Sequence, residues 1–249
     1  MSLALLLGVG GCASVPLEER DPGDKLESMN RSVHDFNEGL DRAVLAPVSG
    51  AYVNHIPRVA RTGVSNFFDN ILYLDTVING FLQGKVKQGF SDLARFGVNS
   101  TIGVLGLFDV ATPMGLKQHN EDFGQTLGVW RAGGGEYLVY PLLGPSSVRD
   151  TGGIVVSMLT NPIVYAAPPV AIPLAILGVV DLRARKETFV RFRNEAALDP
   201  YIFTRESYQQ HREFKIHDGN PPRPTLYEEV LPPEPISTDP VWAAPVQGS

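Results

Sequence analysis

Apolar positions in the first half of the chain recur at helical rather than strand spacing. Leu26, Met29, Val33, Phe36 and Leu40 follow one another at steps of 3, 4, 3 and 4, the stripe of an amphipathic helix. Ala60, Val64, Phe67, Phe68 and Ile71 make a second stripe, edged by Arg58, Arg61 and Asp69. Val77, Ile78, Phe81 and Leu82 predict a third helix, and Val86, Phe90, Leu93 and Ala94 a fourth. Asp199-Pro200 reads as an N-cap followed by proline at the first helical position, opening a helix through Arg212. Only Tyr137–Leu142 suits an extended segment, and no run alternates strongly enough to demand a sheet. The fold class is all-α, with residues 26–217 expected to hold the core.

One stretch breaks the amphipathic rule. Between Asp150 and Asp181, residues 152–180 carry no charge, a length that would suit a membrane span. Pro162, Pro168, Pro169 and Pro173 interrupt it, each removing a backbone donor. The apolar halves 152–160 and 170–180 would each reach only about 15 Å, half a hydrocarbon core. Two readings stand: a hairpin buried in a globular core, or a proline-broken apolar hairpin dipping into one leaflet, which a lipid anchor would favour.

The flanks are of different character. Residues 1–11 form an apolar run ending in Val9-Gly10-Gly11, and Cys12, the sole cysteine, follows. This is the pattern of a bacterial lipoprotein signal peptide, with Cys12 the acylated first residue and residues 12–25 a polar tether. Ala13, where an aspartate would favour inner-membrane retention, points to the outer membrane. From 218 to 249 the chain is rich in proline and poor in apolar residues, the composition of a disordered tail. A net charge of −6 without a long basic run argues against nucleic acid as a partner.

Candidate chemistry is sparse. Gly63-Val64-Ser65-Asn66-Phe67 lacks the second glycine of a nucleophile elbow, and Gly133-Gly134-Gly135 lacks the Lys-Ser/Thr of a phosphate-binding loop. The five histidines show no metal-ligand spacing, so neither catalytic residues, metal nor cofactor is expected. His119-Asn120-Glu121-Asp122 reads as a structural hydrogen-bond hub or solvated loop before a catalytic cluster.

A series of local phrases is more telling. Asn30-Arg31, Phe36-Asn37 and Leu40-Asp41 are followed by 63–70 (GVSNFFDN) and 79–85 (NGFLQGK). Arg95-Phe96, 99–101 (NST), 106–111 (GLFDVA), 121–128 (EDFGQTLG) and 141–150 (PLLGPSSVRD) come next. Asp199-Pro200-Tyr201 with Arg205, Tyr208 and Arg212 closes the set. Together, from about Asn30 to Arg212, these resemble the MlaA (VacJ) family of outer-membrane lipoproteins, with a departure at Glu136, where proline is more usual. The resemblance implies a ring-like bundle of helices lying in the periplasmic leaflet of the outer membrane beside a trimeric porin. It implies removal of misplaced outer-leaflet phospholipids through an amphipathic pore and their delivery to a soluble periplasmic carrier of the MlaC kind. Phe36, Asn37, Asn66, Phe67, Asn70, Asn79 and Gln83 are the pore candidates, because they mix amides with aromatic rings within the family phrases. Any one of these asparagines is equally well read as a cap or turn residue. A structural or porin-associated lipoprotein, and a periplasm-facing phospholipase, are the other classes open to the sequence.

Overall fold

The computed structural model describes residues 23–222. Cys12, the signal segment 1–11, most of the tether and the tail beyond 222 lie outside the described residues. The body begins earlier than the pattern suggested: Asp24 is buried, and its carboxylate accepts hydrogen bonds from the Tyr201 hydroxyl and Arg205.

Ten α-helices and one short hairpin make up the described chain. Helix α1 (Glu27–Leu40) runs through a π-helical turn (Asp41–Leu45) into α2 (Ala46–His55). Helices α3 (Arg58–Ile71), α4 (Tyr73–Leu82) and α5 (Val86–Thr101) follow, then a long loop, α6 (Phe123–Val129), strands β1 (Tyr137–Tyr140) and β2 (Gly144–Ser147), and α7 (Val148–Thr160). A 3-10 turn (Pro162–Tyr165) leads to α8 (Pro168–Arg185), α9 (Glu187–Ala196) and α10 (Pro200–Ile216). Each predicted helix is present, and the Asp199 carboxylate caps α10 by accepting from Tyr201 and Ile202 N–H. Strands β1 and β2 pair antiparallel, Tyr137 opposite Ser147 and Tyr140 opposite Gly144. The Gly-Pro-Ser-Ser sequence of β2 gave no strand signal, since none of its residues favours the extended state.

The apolar stretch breaks where expected, at 161–167. Pro162 and Pro168 open the 3-10 turn and α8, where a missing N–H costs nothing. Pro173, in contrast, lies inside α8 without ending it. The arms find their main partners outside the hairpin: α7 packs on α6, and α8 on α2 and α3. Among the described residues no helix is long and apolar enough to cross a membrane.

The helical stripes are where the sequence predicts, and Phe68 of α3 and Val77 of α4 are buried, but much of the apolar surface of α1 and α5 faces outward. On α1, Glu27, Asn30 and His34 are buried, while Met29 and Phe36 are exposed. On α5 the buried set is Gly89, Asp92, Arg95 and Asn99, and Val86, Phe90 and Leu93 point out. Among the described residues 9 hydrophobic side chains are buried against 20 polar or charged ones, while 39 large hydrophobic side chains are exposed. The apolar pattern therefore does not mark a core, as residues 26–217 were expected to supply. What exists of one is small: Tyr137, Val139 and Tyr201, flanked by Val33 and Tyr208. Leaving a Leu or Phe in water forfeits roughly 1.5–3 kcal/mol relative to burial. Dozens of such side chains turned outward are affordable only against an apolar medium.

Candidate functional site

A polar interior needs a partner for every donor and acceptor. On α1, Asn30 and Asn37 stand two turns apart on one face and grip the free edge of β1. The Asn30 amide donates to Tyr137 O (2.9 Å) and accepts from Val139 N–H (3.0 Å). Asn37 makes the same pair of bonds three residues on, where β1 enters the hairpin turn, with Tyr140 O (3.0 Å) and Leu142 N–H (2.9 Å). Each amide thus substitutes for a neighbouring strand, and the hairpin edge is closed.

A second network folds the loop after α5. Asn99 Oδ1 accepts from Val110 and Ala111 N–H at 3.0 and 2.9 Å, and its amide donates to Asp109. Arg95 joins Asp109, Thr112 and Leu116 O. Val104 and Leu105 adopt left-handed backbone (φ 54° and 56°), and Gly106 (φ 89°) lies against Asn70, where an added Cβ would stand 2.3 Å from the Asn70 Cβ. The strain is outweighed by these bonds, and it turns Ile102, Val104, Leu105 and Phe108 outward. Burial pushes the Asp109 carboxyl up, but hydrogen bonds from Thr112, Arg95 and Asn99 override it and hold the group at about 2.

A third network joins α4, α6 and α7. Asn79, fully buried, donates to Asp75 and accepts from the Thr126 hydroxyl (2.8 Å). Ser157 of α7 donates to Asp75 at 2.6 Å. Glu121 collects Gln83 (3.0 Å), Gln88 (2.9 Å) and Lys85 (3.0 Å). Asp122 caps α6 and takes a two-pronged contact from Arg212 of α10, which also reaches Asp150. The 119–122 run is thus a hydrogen-bond hub, with His119 Nδ1 2.8 Å from Asp92. Asp181 of α8 closes another junction, accepting from Ser65 of α3 (2.9 Å) and Tyr52 of α2 (3.2 Å). Ser65, central to the imperfect nucleophile elbow, is therefore spent on a carboxylate. Among the described residues no group of His, Cys, Asp or Glu is arranged to hold a metal.

Grooves lie between these networks. Two adjoining ones share Glu38, Arg42 and Asn194: one of about 480 Å³ between α1–α2 and α8–α9, and one of about 500 Å³ between α1 and the α9–α10 corner. Ser49, Gly50 and Val53 of α2 line one side of the first, and Val190 and Arg191 of α9 the other. Arg183 binds Asp41 through two nitrogens (2.6 and 3.0 Å), and Arg193 binds Glu38 (2.7 Å), fixing the walls to each other.

The seven pore candidates fall into three places. Phe36 is exposed and Asn37 holds the hairpin; Asn66 donates to Leu107 O (3.4 Å), Asn70 to Ser100 (3.0 Å), and Phe67 stacks edge-on with Phe68. Asn79 and Gln83 meet at Thr126. Asn66 and Asn70 line one small pocket, and none of the other five candidates lines it. Sequence reasoning missed the carboxylates Asp75, Asp92 and Asp181 and the groove residues Arg42, Arg183 and Asn194. Their one legible signal is a charge or amide set at helical spacing opposite an apolar stripe, as for Asp92, Arg95 and Asn99.

A mainly helical domain with mostly polar groups inside and many apolar groups outside is a protein of the membrane surface. The chain belongs to the MlaA lipoprotein family, whose sequence profile matches residues 22–215. It is 32% identical over 223 residues to the intermembrane phospholipid transport system lipoprotein MlaA of Escherichia coli (strain K12), covering 87% of this chain and 88% of that protein. The protein of the same description from Haemophilus influenzae is 30% identical over 227 residues, 88% of this chain and 90% of the relative. A solved structure concerned with maintenance of bacterial outer membrane lipid asymmetry superimposes with a TM-score of 0.69 at 32% identity, covering 79% of this chain and all of that one.

Proposed function

We propose that this protein is the outer-membrane component of a phospholipid transport system. Anchored through acylated Cys12, it lies in the periplasmic leaflet and withdraws phospholipids misplaced in the outer leaflet. It passes them to a soluble periplasmic carrier of the MlaC kind, beside a trimeric porin, and so maintains lipid asymmetry. It acts as a passive conduit and not an enzyme: relatives carry the name of transport lipoproteins. The observation that carries this reading is the inverted polarity. An outward apolar shell meets acyl chains, and helices satisfy their own backbone in hydrocarbon.

The groove along α1 and α8–α9 is the natural passage. It begins beside the Phe36-Asn37 phrase, and its apolar Val53 and Val190 face charged and amide groups that a headgroup can follow. Asn37, Asn70, Asn79 and Gln83 serve that passage by holding its surrounding helices, while Phe36, Asn66 and Phe67 are the candidates with surface left to meet lipid. Gly50 offers a direct test. A Cβ there meets nothing within 4 Å, so α2 accepts Gly50→Trp and the ring fills the groove. In a strain lacking the native gene, Gly50→Trp should accumulate at normal level yet leave phospholipid in the outer leaflet and the cells sensitive to detergent; Asn66→Trp tests the second stretch in the same assay. Full protection by both variants would place the passage elsewhere. A structural lipoprotein predicts no outer-leaflet phospholipid even on deletion.

A further inference from the structure

Apart from that groove, a wide cleft of about 820 Å³ opens where α4 turns into α5. It is lined by Lys85, Lys87, Lys117 and His119, with Gln88 and Ser91 between them, and no carboxylate lines it. On a chain of net charge −6 the three lysines are an unusual concentration of cations. Lys85 is fixed from behind by Glu121 and Asp218, and the His119 ring is held by Asp92. The acids offset Lys85, so the free charge comes from Lys87 and Lys117. Lys87 and Lys117 are exposed, and neither has an ion-pair or hydrogen-bond partner among the described residues. They come from separate segments, α5 and the loop after it, and face one space.

What adjoins the cleft defines the ligand. Val86, which lines it, Phe90 and Leu93 form an apolar strip on the outer face of α5, and Met114 is exposed beside the loop lysine. Cations at the end of an apolar face, on stems that lie along it, are the arrangement that meets a headgroup phosphate while the face meets acyl chains. A soluble anion would need the cations but not the strip. The first turn of α5, whose N-cap Lys85 provides no side-chain hydrogen bond, adds the positive end of its dipole.

We propose that this cleft is a lipid-headgroup site, separate from the conduit, that takes the phosphodiester of an anionic phospholipid between Lys87 and Lys117. The site stands whether or not the groove transports lipid, because its readout is binding. The experiment is native mass spectrometry of the full chain released from nanodiscs of phosphatidylcholine containing phosphatidylglycerol, for the native protein and for Lys87→Gln/Lys117→Gln. With roughly 1 kcal/mol per lysine near an anionic headgroup, the double variant should retain phosphatidylglycerol at least about tenfold less, with phosphatidylcholine retention and thermal unfolding unchanged. Equal retention of phosphatidylglycerol by the two proteins overturns the proposal. So does loss of inorganic phosphate binding alone, which would mark a free-anion site. Unchanged lipid retention with impaired transfer to the periplasmic carrier would overturn it too, in favour of an acidic protein surface.

Discussion

Replacing Arg212 with glutamine removes the cation on which two carboxylates converge, the half-buried Asp122 and the buried Asp150. Its nitrogens sit 2.6 and 2.9 Å from the two oxygens of Asp122 and 2.9 Å from Asp150. Burial pushes Asp122 up, but the hydrogen bonds and charge of Arg212 prevail and hold it at about 2, below its ordinary 3.8. A depressed carboxylate stabilises the fold above its unfolded value and loses that contribution as pH falls through its folded value. For Asp122 the difference corresponds to about 2 kcal/mol at neutral pH. Asp150 keeps Arg149 at 3.0 Å and the Tyr208 hydroxyl, so the expected cost is the one at Asp122, about 2 kcal/mol. In a body of this size that lowers Tm by about 6 °C. Thermal unfolding followed by far-ultraviolet circular dichroism in detergent, from about pH 7 down to about pH 3, reads it out. The gap between native and Arg212→Gln proteins should be full at neutral pH and shrink below about pH 4. A gap under about 1 kcal/mol, or one of the same size at both ends, would refute the assignment of the α10 latch to charge.

Two further outcomes concern the membrane. Cys12→Ser should yield an uncleaved or soluble, non-functional product, measured by fractionation and intact mass; normal processing and full outer-membrane recovery would remove Cys12 as the anchor. Single cysteines at Leu159 and Ile176, both exposed in the fold, should resist membrane-impermeant thiol reagents in intact envelopes and react once detergent is added. Labelling of Ala166 from the cell exterior would instead mean that 152–180 spans the bilayer.

The sequence located the helices far better than it oriented them. The steps of 3 and 4 through Leu26, Met29, Val33, Phe36 and Leu40 fix a helix and the direction of its apolar face. They do not say whether that face meets protein or lipid, because both are equally apolar to a Leu or Phe. The Asp199-Pro200 start was legible since capping is local, and the hub at 119–122 was legible because its acids and amides are consecutive. The junctions were not. Ser65 reaches Asp181 across 116 positions and Arg183 reaches Asp41 across 142, separations that no spacing rule describes. Family phrases compensated in part: Asn30, Asn37, Asn99 and Arg212 all lie within them, and all proved to hold backbone or carboxylate in place.

The outward shell of aliphatic, Met and aromatic side chains also makes lipid a reactant in folding. Whatever coats those 39 side chains binds the native state and has far less to gain from the extended chain, so its concentration enters the equilibrium as any ligand's would. Apparent stability is then a joint property of chain and amphiphile, rising with bilayer or micelle supply and falling on dilution. The final packing step belongs to arrival at the membrane, and before it the chain must travel sheltered or incompletely folded.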